Sequence, residues 1–250
     1  MSGHSKWATI KHQKGVADSR RGAMFTKFTR EIIIATRQGG ASPEGNFRLR
    51  LAIQKARDNN MPKDNIESAI KKGSGAAEGT VFIEMVMEGY GPAGVAILLE
   101  AVTDNRNRTV SEIRSTFTKY NGNLGENGSV AWMFENTGVL MVDATGIDPD
   151  EFSLFAIDAG ARDVKEDKNL LEIYTDPKDF EQVKQVIEKR KKPMSAEVTM
   201  LPKNTVSLPE KESLQTVKLL EKLEELDDVQ RVFSNLDYSD ALIEKLKSEA

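Results

Sequence analysis

Apolar residues in the first third of the chain recur at the spacing of an α-helix. Phe25, Phe28 and Ile32 fall on one face of a predicted helix that runs from about Ala17 to Gln38, and Gly39-Gly40 ends it. Two further helices with a similar apolar stripe are predicted before residue 75. Three short amphipathic helices predict a small helical bundle.

Start and stop signals predict the bounds of the second and third helices. Ser42 can cap a helix, and Pro43 and Glu44 suit a first turn, so the second helix is predicted to begin there. The third is predicted to begin near Pro62 and to end at Gly73. The expected buried positions are Leu49, Ala52, Ile53, Ala56, Ile66, Ala69 and Ile70.

The hydrophobic period changes after a glycine-rich linker at residues 73–79. Residues 80–88 alternate between apolar and polar, and residues 95–102 are almost continuously apolar, which predicts an outer and a more central β-strand. A capping box at Thr109–Glu112 predicts a helix start, and residues 129–135 are predicted to be the next strand. The pattern therefore predicts a ββαβ unit.

The remainder of the chain predicts a second unit placed inside the first. Residues 137–203 show the order βαββαβ, which is that of a ferredoxin-like domain. A helix at 210–226 and a strand at 229–233 are too little for a domain, so they are expected to complete the earlier unit. The predicted fold class is α+β: an N-terminal three-helix bundle is followed by two α+β domains, of which the ferredoxin-like one is inserted into the other. The predicted domains are 1–75, 79–135 together with 206–250, and 136–205.

Charge is distributed unevenly between these regions. Residues 1–75 contain 15 Lys and Arg against 6 Asp and Glu, a net charge of +9. The other 175 residues contain 20 basic and 33 acidic side chains, a net charge of −13. A basic module joined to an acidic remainder is typical of a protein in which one module contacts a polyanion, so nucleic acid is the predicted ligand.

Composition argues against several other classes of protein. No apolar run approaches the roughly 20 residues that cross a bilayer, and no secretory signal follows Met1, so a cytoplasmic location without membrane contact is expected. The absence of cysteine excludes disulfides and thiolate zinc sites. His4 and His12 have no acidic neighbour before Asp18, so no metal and no other cofactor is predicted.

Two features resemble sites of small-molecule chemistry. Residues 89–94 match G-x-G-x-x-G, but a strand follows them instead of a helix, so a hairpin connection is predicted rather than a dinucleotide site. The loops Asp104–Thr109 and Asn121–Gly128 either hold a phosphate or a peptide end, or consist of helix caps and turns, and the sequence favours the second alternative. No Ser-His-Asp set can be assembled, which predicts that the protein is not an enzyme.

The candidate nucleic-acid contacts are basic side chains of residues 1–75 and one tryptophan. Arg20, Lys27, Arg30 and Arg37 form a stripe on the first helix. Trp7 either stacks on a base or anchors the N-terminal arm through its apolar area. The full predicted set is Lys6, Trp7, Lys11, Lys14, Arg20, Arg21, Lys27, Arg30, Arg37, Arg48, Arg50, Lys55, Arg57 and Lys63.

Five segments carry a family resemblance. They are MSGHSKWATIKHQKG, FTKFTREI, SPEGNFRLRLAIQKARDNNMPKDNIESAIKKGSG, EGYGPAGVAILLEAVTDNRNRT and GNLGENGSVAWMFENTG. The chain resembles the YebC family of probable transcriptional regulatory proteins, which includes mitochondrial translational activators of cytochrome oxidase subunit one. The resemblance implies a helical bundle and two α+β domains, one of them discontinuous. The motif positions that it carries over are His4, Ser5, Lys6, Trp7, Arg48, Arg50, Met61, Pro62, Lys63 and Asp64.

The predicted function is that of a non-enzymatic regulatory protein. The leading hypothesis is a transcriptional regulator that binds DNA through its basic N-terminal domain, while the acidic domains orient it or meet protein partners. The first alternative is a ribosome-associated translation factor that binds ribosomal or transfer RNA and relieves stalling, for example at proline runs. The second alternative is an enzyme with Asp104, Arg106 and Arg108 as the polar centre of an interdomain cleft.

Overall fold

The computed structural model describes residues 18–75 and 81–248. The first of these ranges folds into three helices: α1 (Asp18–Gly39), α2 (Phe47–Asp58) and α3 (Lys63–Gly73). Their apolar stripes meet in one core, as the helical periodicity predicts. The core residues include Phe28, Ile32, Leu49, Ala52, Ile53, Ala56, Ile66 and Ala69.

The second described range contains eight strands and five helices. In chain order they are β1 (Ile83–Tyr90), β2 (Ala96–Thr103), α4 (Arg106–Lys119), β3 (Asn123–Leu124), β4 (Phe134–Asp143), α5 (Pro149–Asp158), β5 (Asp163–Asp167), β6 (Leu170–Thr175), α6 (Phe180–Arg190), β7 (Ser195–Pro202), α7 (Glu210–Glu225), β8 (Val229–Ser234) and α8 (Asp240–Ser248). Among the described residues, no helix combines the length and the apolar composition needed to cross a membrane.

The strands form two antiparallel sheets. The first sheet has the order β3-β1-β2-β8, and the second has the order β5-β6-β4-β7. Strands β4 to β7 lie together in the second sheet, and the chain then returns to the first sheet through β8. The α+β fold class is therefore confirmed, with the ferredoxin-like unit inserted into the other one. The exact domain limits given above, 1–75, 79–135 with 206–250, and 136–205, stay predictions.

Two predicted helix starts were wrong, because an asparagine nearby caps each helix instead. Helix α2 begins at Phe47, where the side chain of Asn46 accepts a hydrogen bond from the backbone N–H of Leu49 at 3.0 Å. Helix α4 begins before the predicted capping box, because Asn105 accepts from the backbone N–H of Arg108 at 3.1 Å. Both true caps lie within four residues of the predicted ones, and asparagine is as good a cap as serine or threonine.

Two further differences concern the sheet region, and one prediction there is confirmed. The strand predicted at 129–135 is a 3₁₀ turn at Ala131–Met133 followed by the ten-residue strand β4. Helix α8 has no counterpart in the predicted elements. The glycine-rich run 89–94 does connect β1 to the antiparallel β2, so the predicted hairpin is confirmed.

The second sheet and α6 meet at Gly138 without room for a side chain. A Cβ atom there would overlap the hydroxyl of Thr175 and lie 2.5 Å from a ring carbon of Phe180. Both residues belong to the buried interior, where side chains have little freedom to move away.

We expect Gly138→Ala to lower the free energy of unfolding by about 2 kcal/mol, as is typical when a tightly packed core must accept an extra methyl group. Urea denaturation of the full chain measures the effect. The matched control is Gly22→Ala, because a Cβ atom at Gly22 of α1 meets nothing within 4 Å. This control should be neutral or slightly stabilising, since alanine is the better helix former. Equal stability of the two variants would contradict the packing argument.

Candidate nucleic-acid interface

Seven of the predicted contact residues of the bundle separate into two groups by what surrounds them. Five of them reach toward the later domains or toward acidic and carbonyl groups of the bundle, and we call these the inner cations. The inner cations are Lys27, Arg30, Arg48, Arg50 and Lys55.

Two inner cations of α1 hold the bundle against the first sheet. The ammonium group of Lys27 donates to the carbonyl oxygen of Glu224 at 2.5 Å. The guanidinium of Arg30 lies 2.8 Å from a carboxylate oxygen of Asp228 and donates to the carbonyl of Asp227. The side chain of Arg30 is only 14% exposed. Both cations therefore form part of a contact between domains, which leaves them little access to an external phosphate.

The carboxylate of Asp228 is the centre of this contact and is 3% exposed. Besides Arg30, it accepts hydrogen bonds from the hydroxyl of Thr103 at 3.0 Å, the hydroxyl of Thr109 at 2.5 Å and the guanidinium of Arg108 at 2.9 Å. Burial by itself raises the pKa of Asp228, but these hydrogen bonds and the charge of Arg30 outweigh burial and hold the pKa below its ordinary value of 3.8. Asp228 is therefore an anion that ties α1, β2 and α4 to the start of β8.

The loop Asp104–Thr109 uses its polar groups inside the protein. Asn105 caps α4, and the guanidinium of Arg108 donates to Asp104 at 2.8 Å as well as to Asp228. This arrangement matches the alternative of caps and satisfied turns. The hydrogen bond between Arg108 and Asp104 pairs two of the three side chains that were considered as the polar centre of an enzyme.

Arg48 connects the start of α2 to the first strand of the first sheet. Its guanidinium forms an ion pair with Glu84 of β1 and donates to the side-chain oxygen of Gln38 at 2.5 Å. Gln38 in turn donates to Glu84 at 2.7 Å. The hydrogen bond to Glu84 raises the pKa of Arg48 above its ordinary value. Arg48 therefore holds α2 to β1.

The remaining inner cations are satisfied within or beside the bundle. Arg50 donates to the carbonyl of Pro43 at 2.8 Å and lies 3.6 Å from the carboxylate of Glu181 in the inserted domain. The ammonium of Lys55 lies 3.8 Å from the carboxylate of Glu31. Ion pairs at these distances are partly solvated and contribute little to stability.

The second group consists of cations on the solvent side of α2 and α3, and we call them the outer cations. They are Arg57 and Lys63, which the sequence predicted, and Lys71 and Lys72, which it did not. All four are exposed, and within the described ranges only Lys63 has an ion-pair partner, Glu67 at 3.4 Å. The outer cations alternate with acidic residues of the same two helices, so this surface is mixed in sign.

The outer cations are spread along one side of the bundle. Arg57 lies in the last turn of α2, and Lys63 is the first residue of α3. Lys71 and Lys72 lie in the last turn of α3, which is about 12 Å further along the helix axis at 1.5 Å per residue. The predicted end of the third helix at Gly73 places Lys71 and Lys72 in the last turn, where they form an exposed pair of charges.

The other predicted contact residues divide between exposed and undescribed positions. Arg21 and Arg37 are exposed on α1. Arg20 lies in the first turn of α1, where only the backbone is described. Lys6, Trp7, Lys11 and Lys14 lie outside the described residues, together with His4 and His12.

Two family models match the chain on either side of residue 80. The model described as "TACO1/YebC protein N-terminal domain" matches residues 5–76, and the model described as "TACO1/YebC second and third domain" matches residues 82–236. Their boundary coincides with the change from the helical bundle to the sheets.

Individual relatives match over almost the whole length. The chain is 59% identical over 251 residues to a "Probable transcriptional regulatory protein" of Dehalococcoides mccartyi, covering 100% of both chains. It is 53% identical over 248 residues to a protein of the same description from Natranaerobius thermophilus, covering 98% of this chain and 99% of the relative. A crystal structure of a conserved hypothetical protein from Aquifex aeolicus is 47% identical and superposes with a TM-score of 0.79 over 88% of this chain and 91% of the other.

Proposed function

The chain belongs to the TACO1/YebC family, and from this premise we propose that it is a non-enzymatic regulatory protein that binds nucleic acid through its N-terminal module. Relatives at more than 50% identity over the full length are called probable transcriptional regulatory proteins, which supports a regulatory role. Duplex DNA is the leading ligand in this proposal. The alternative target is ribosomal or transfer RNA.

The observation that carries the proposal is the set of exposed cations on a module of net charge +9. The inner cations already have anionic or carbonyl partners, so they contribute mainly to the contact between domains. The outer cations keep their donors in solvent, where phosphate oxygens can replace water. Binding by such contacts is electrostatic, because each neutralised phosphate releases condensed counterions.

We expect the combined variant Arg57→Ala, Lys63→Ala, Lys71→Ala and Lys72→Ala to bind a DNA duplex about tenfold more weakly. The slope of log K against log salt should also become shallower by about 3.6, since each of the four lost phosphate contacts removes about 0.9 from it. Fluorescence anisotropy with a labelled duplex at several salt concentrations measures both quantities.

The matched control removes the same charge elsewhere. The control replaces four exposed lysines outside the bundle by alanine: Lys178, Lys189, Lys192 and Lys211. Its net charge therefore equals that of the first variant. The control should bind within about twofold of the unmodified chain. Equal losses in both variants would assign binding to net charge alone and would refute the proposed surface.

The target is decided by crosslinking in cells followed by sequencing. The DNA proposal requires enrichment of chromosomal sites, and this enrichment should fall with the combined variant. Enrichment of ribosomal or transfer RNA over DNA would reject the transcriptional role and support the translational one, with the same cations in contact with phosphates.

A further inference from the structure

Trp132 exposes a large aromatic ring far along the chain from the basic module. The ring lies in the 3₁₀ turn Ala131–Met133, and the residue is 64% exposed. Within residues 18–75 and 81–248, no aromatic ring or cation stacks on it. Tryptophan normally buries its area, so an indole that is held in solvent calls for a partner.

Hydrogen bonds hold this indole in a fixed position. Its Nε1–H donates to the carbonyl of Ser129 at 3.1 Å, and that carbonyl also accepts from the hydroxyl of Tyr90 at 2.9 Å. The carbonyl of Trp132 accepts from the ammonium of Lys203 at 2.8 Å. The edge of the ring is therefore engaged, while its faces are open.

A buried carboxylate fixes the segment that leads to the tryptophan. Glu88 of β1 is 5% exposed, and its two oxygens accept from the backbone N–H groups of Gly128 at 2.6 Å and of Val130 and Ala131 at 2.7 Å each. A ring that is already ordered loses little conformational entropy when a ligand packs on it, which favours binding.

The surroundings of the ring suit a nucleobase better than a protein surface. The loop positions Glu126, Asn127 and Gly128 next to the ring are exposed and polar or small, so no apolar patch surrounds the ring on the side of this loop. Protein interfaces usually need several hundred Å² of such a patch. An unpaired base needs only one flat aromatic face, and Lys203 has further N–H donors for an adjacent phosphate.

The segment that leads to the ring is held on the face of β1 that also carries a contact to the bundle. Glu84, which pairs with Arg48 of α2, and Glu88, which holds the tryptophan loop, are four residues apart on β1. Side chains four apart in a strand point to the same face, and their separation is about 13 Å. The tryptophan loop and α2 are therefore attached to the same face of β1.

We propose that Trp132 is a stacking site for an unpaired nucleobase of single-stranded RNA or DNA. This inference rests on the proposed nucleic-acid binding, which it deepens by adding a second contact that is specific for unpaired bases. The bundle supplies phosphate contacts to any nucleic acid, and the ring distinguishes a single strand from a duplex, because paired bases are not free to stack on a protein ring.

The test compares Trp132→Ala, Trp132→Phe and Leu154→Ala in the full chain. The probes are a 12-nucleotide oligouridylate, a 12-nucleotide oligothymidylate and a 12-base-pair DNA duplex, each in an anisotropy titration. We expect Trp132→Ala to bind the single strands about tenfold more weakly and the duplex unchanged, as is typical of the loss of one stacked base. Trp132→Phe should retain single-strand binding within about threefold. Leu154 is a 68% exposed residue of α5 and serves as the control, which should bind within about twofold of the unmodified chain.

Tryptophan fluorescence gives a second measure at the same site. A base stacked on Trp132 should quench the emission of the unmodified chain. In Trp132→Phe, where Trp7 is the remaining tryptophan, the contribution of Trp132 to this quench should be lost although binding remains.

Each other outcome would overturn the inference. Equal weakening of all three probes by Trp132→Ala would show a structural role for the ring. Unchanged single-strand binding by Trp132→Ala, with binding lost in the combined outer-cation variant, would refute stacking and leave the proposed function intact. Failure of the unmodified chain to bind any nucleic acid would refute both.

Discussion

Replacement of Asp228 by alanine is expected to lower the free energy of unfolding by about 3–5 kcal/mol, which is typical when one partner of a buried ion pair is removed. Arg30 would keep its charge in a site where its side chain is 14% exposed, without the carboxylate that balances it. Thr103 and Thr109 would lose the acceptor of their hydroxyl groups. Urea denaturation followed by circular dichroism measures the loss.

The control for this variant is the preceding residue, Asp227. Its side chain is exposed, and only its backbone carbonyl accepts from Arg30, so Asp227→Ala keeps that hydrogen bond. It should change the unfolding free energy by less than about 0.5 kcal/mol, as surface substitutions usually do. Similar losses in both variants would refute the central role assigned to the buried carboxylate.

The dependence on pH follows from the lowered pKa of Asp228. A carboxyl group whose pKa is lower in the folded protein stabilises the fold fully above its unfolded pKa, near 3.8, and loses this contribution as the pH falls through the folded value. The difference in stability between the unmodified chain and Asp228→Asn should therefore be constant at neutral pH and shrink below pH 3.8. A difference that grows on acidification would contradict this sign.

The contact around Asp228 changes the interpretation of the basic N-terminal module. Its positive charges are predicted to face phosphates, but four of the five inner cations contact the two acidic domains. The partners of these cations are groups of the later domains, so part of the +9 charge of the module is balanced by the remainder of the chain, whose net charge is −13. Opposite charges on the two sides of a domain contact attract each other, and they also orient the contact.

The fold was predictable because its signals are periodic and local. The stripe of Phe28 and Ile32 predicts the bundle core, and the nearly continuous apolar run at 95–102 predicts the central strand that became β2. The insertion was also predictable, because a lone helix and strand after residue 205 need a sheet to join. Strand β8 joins β2 at the edge of the first sheet, as this reasoning expected.

The exact starts of the elements were less predictable because several residues compete for each cap. Ser42 and Asn46 are both good caps, and the choice depends on tertiary packing: Asn46 is buried and also donates to the carbonyl of Ala35 at 2.7 Å. Strand β4 extends through Asn136 and Gly138, which have weak strand propensity, because β7 pairs with both residues and β6 also pairs with Gly138.

The candidate site was predictable in sign but not in detail. The sequence places the cations, but Arg30 and Asp228 are nearly two hundred positions apart, and no periodic pattern links them. Trp132 was missed for a similar reason. The segment that leads to Trp132 is held by Glu88. In the alternating pattern of β1, Glu88 looks like any other polar position of the strand, so the sequence does not single it out.

Replacement of Glu88 by glutamine is expected to lower the free energy of unfolding by about 3 kcal/mol, because it damages three charge-assisted hydrogen bonds at one buried site. One carboxylate oxygen faces the N–H of Gly128, and the other faces the N–H groups of Val130 and Ala131. A carboxamide in either orientation turns an NH₂ group toward at least one of these donors. Thermal and urea denaturation measure the effect, and Glu126→Gln, at an exposed position of the same loop, is the control that should remain near the unmodified value.

The same substitution tests the electrostatics of the loop and its link to Trp132. Burial raises the pKa of Glu88, but the three backbone N–H donors outweigh burial and hold the pKa below its ordinary value of 4.5. Its stabilising effect should therefore be complete above pH 4.5 and decline as the pH falls through the lowered pKa, so the penalty of Glu88→Gln should shrink in acid. Because these donors lead directly to the turn that carries the indole, the variant should also bind oligouridylate more weakly at neutral pH while duplex binding is unchanged. Wild-type stability in Glu88→Gln would show that the carboxylate does not hold the loop.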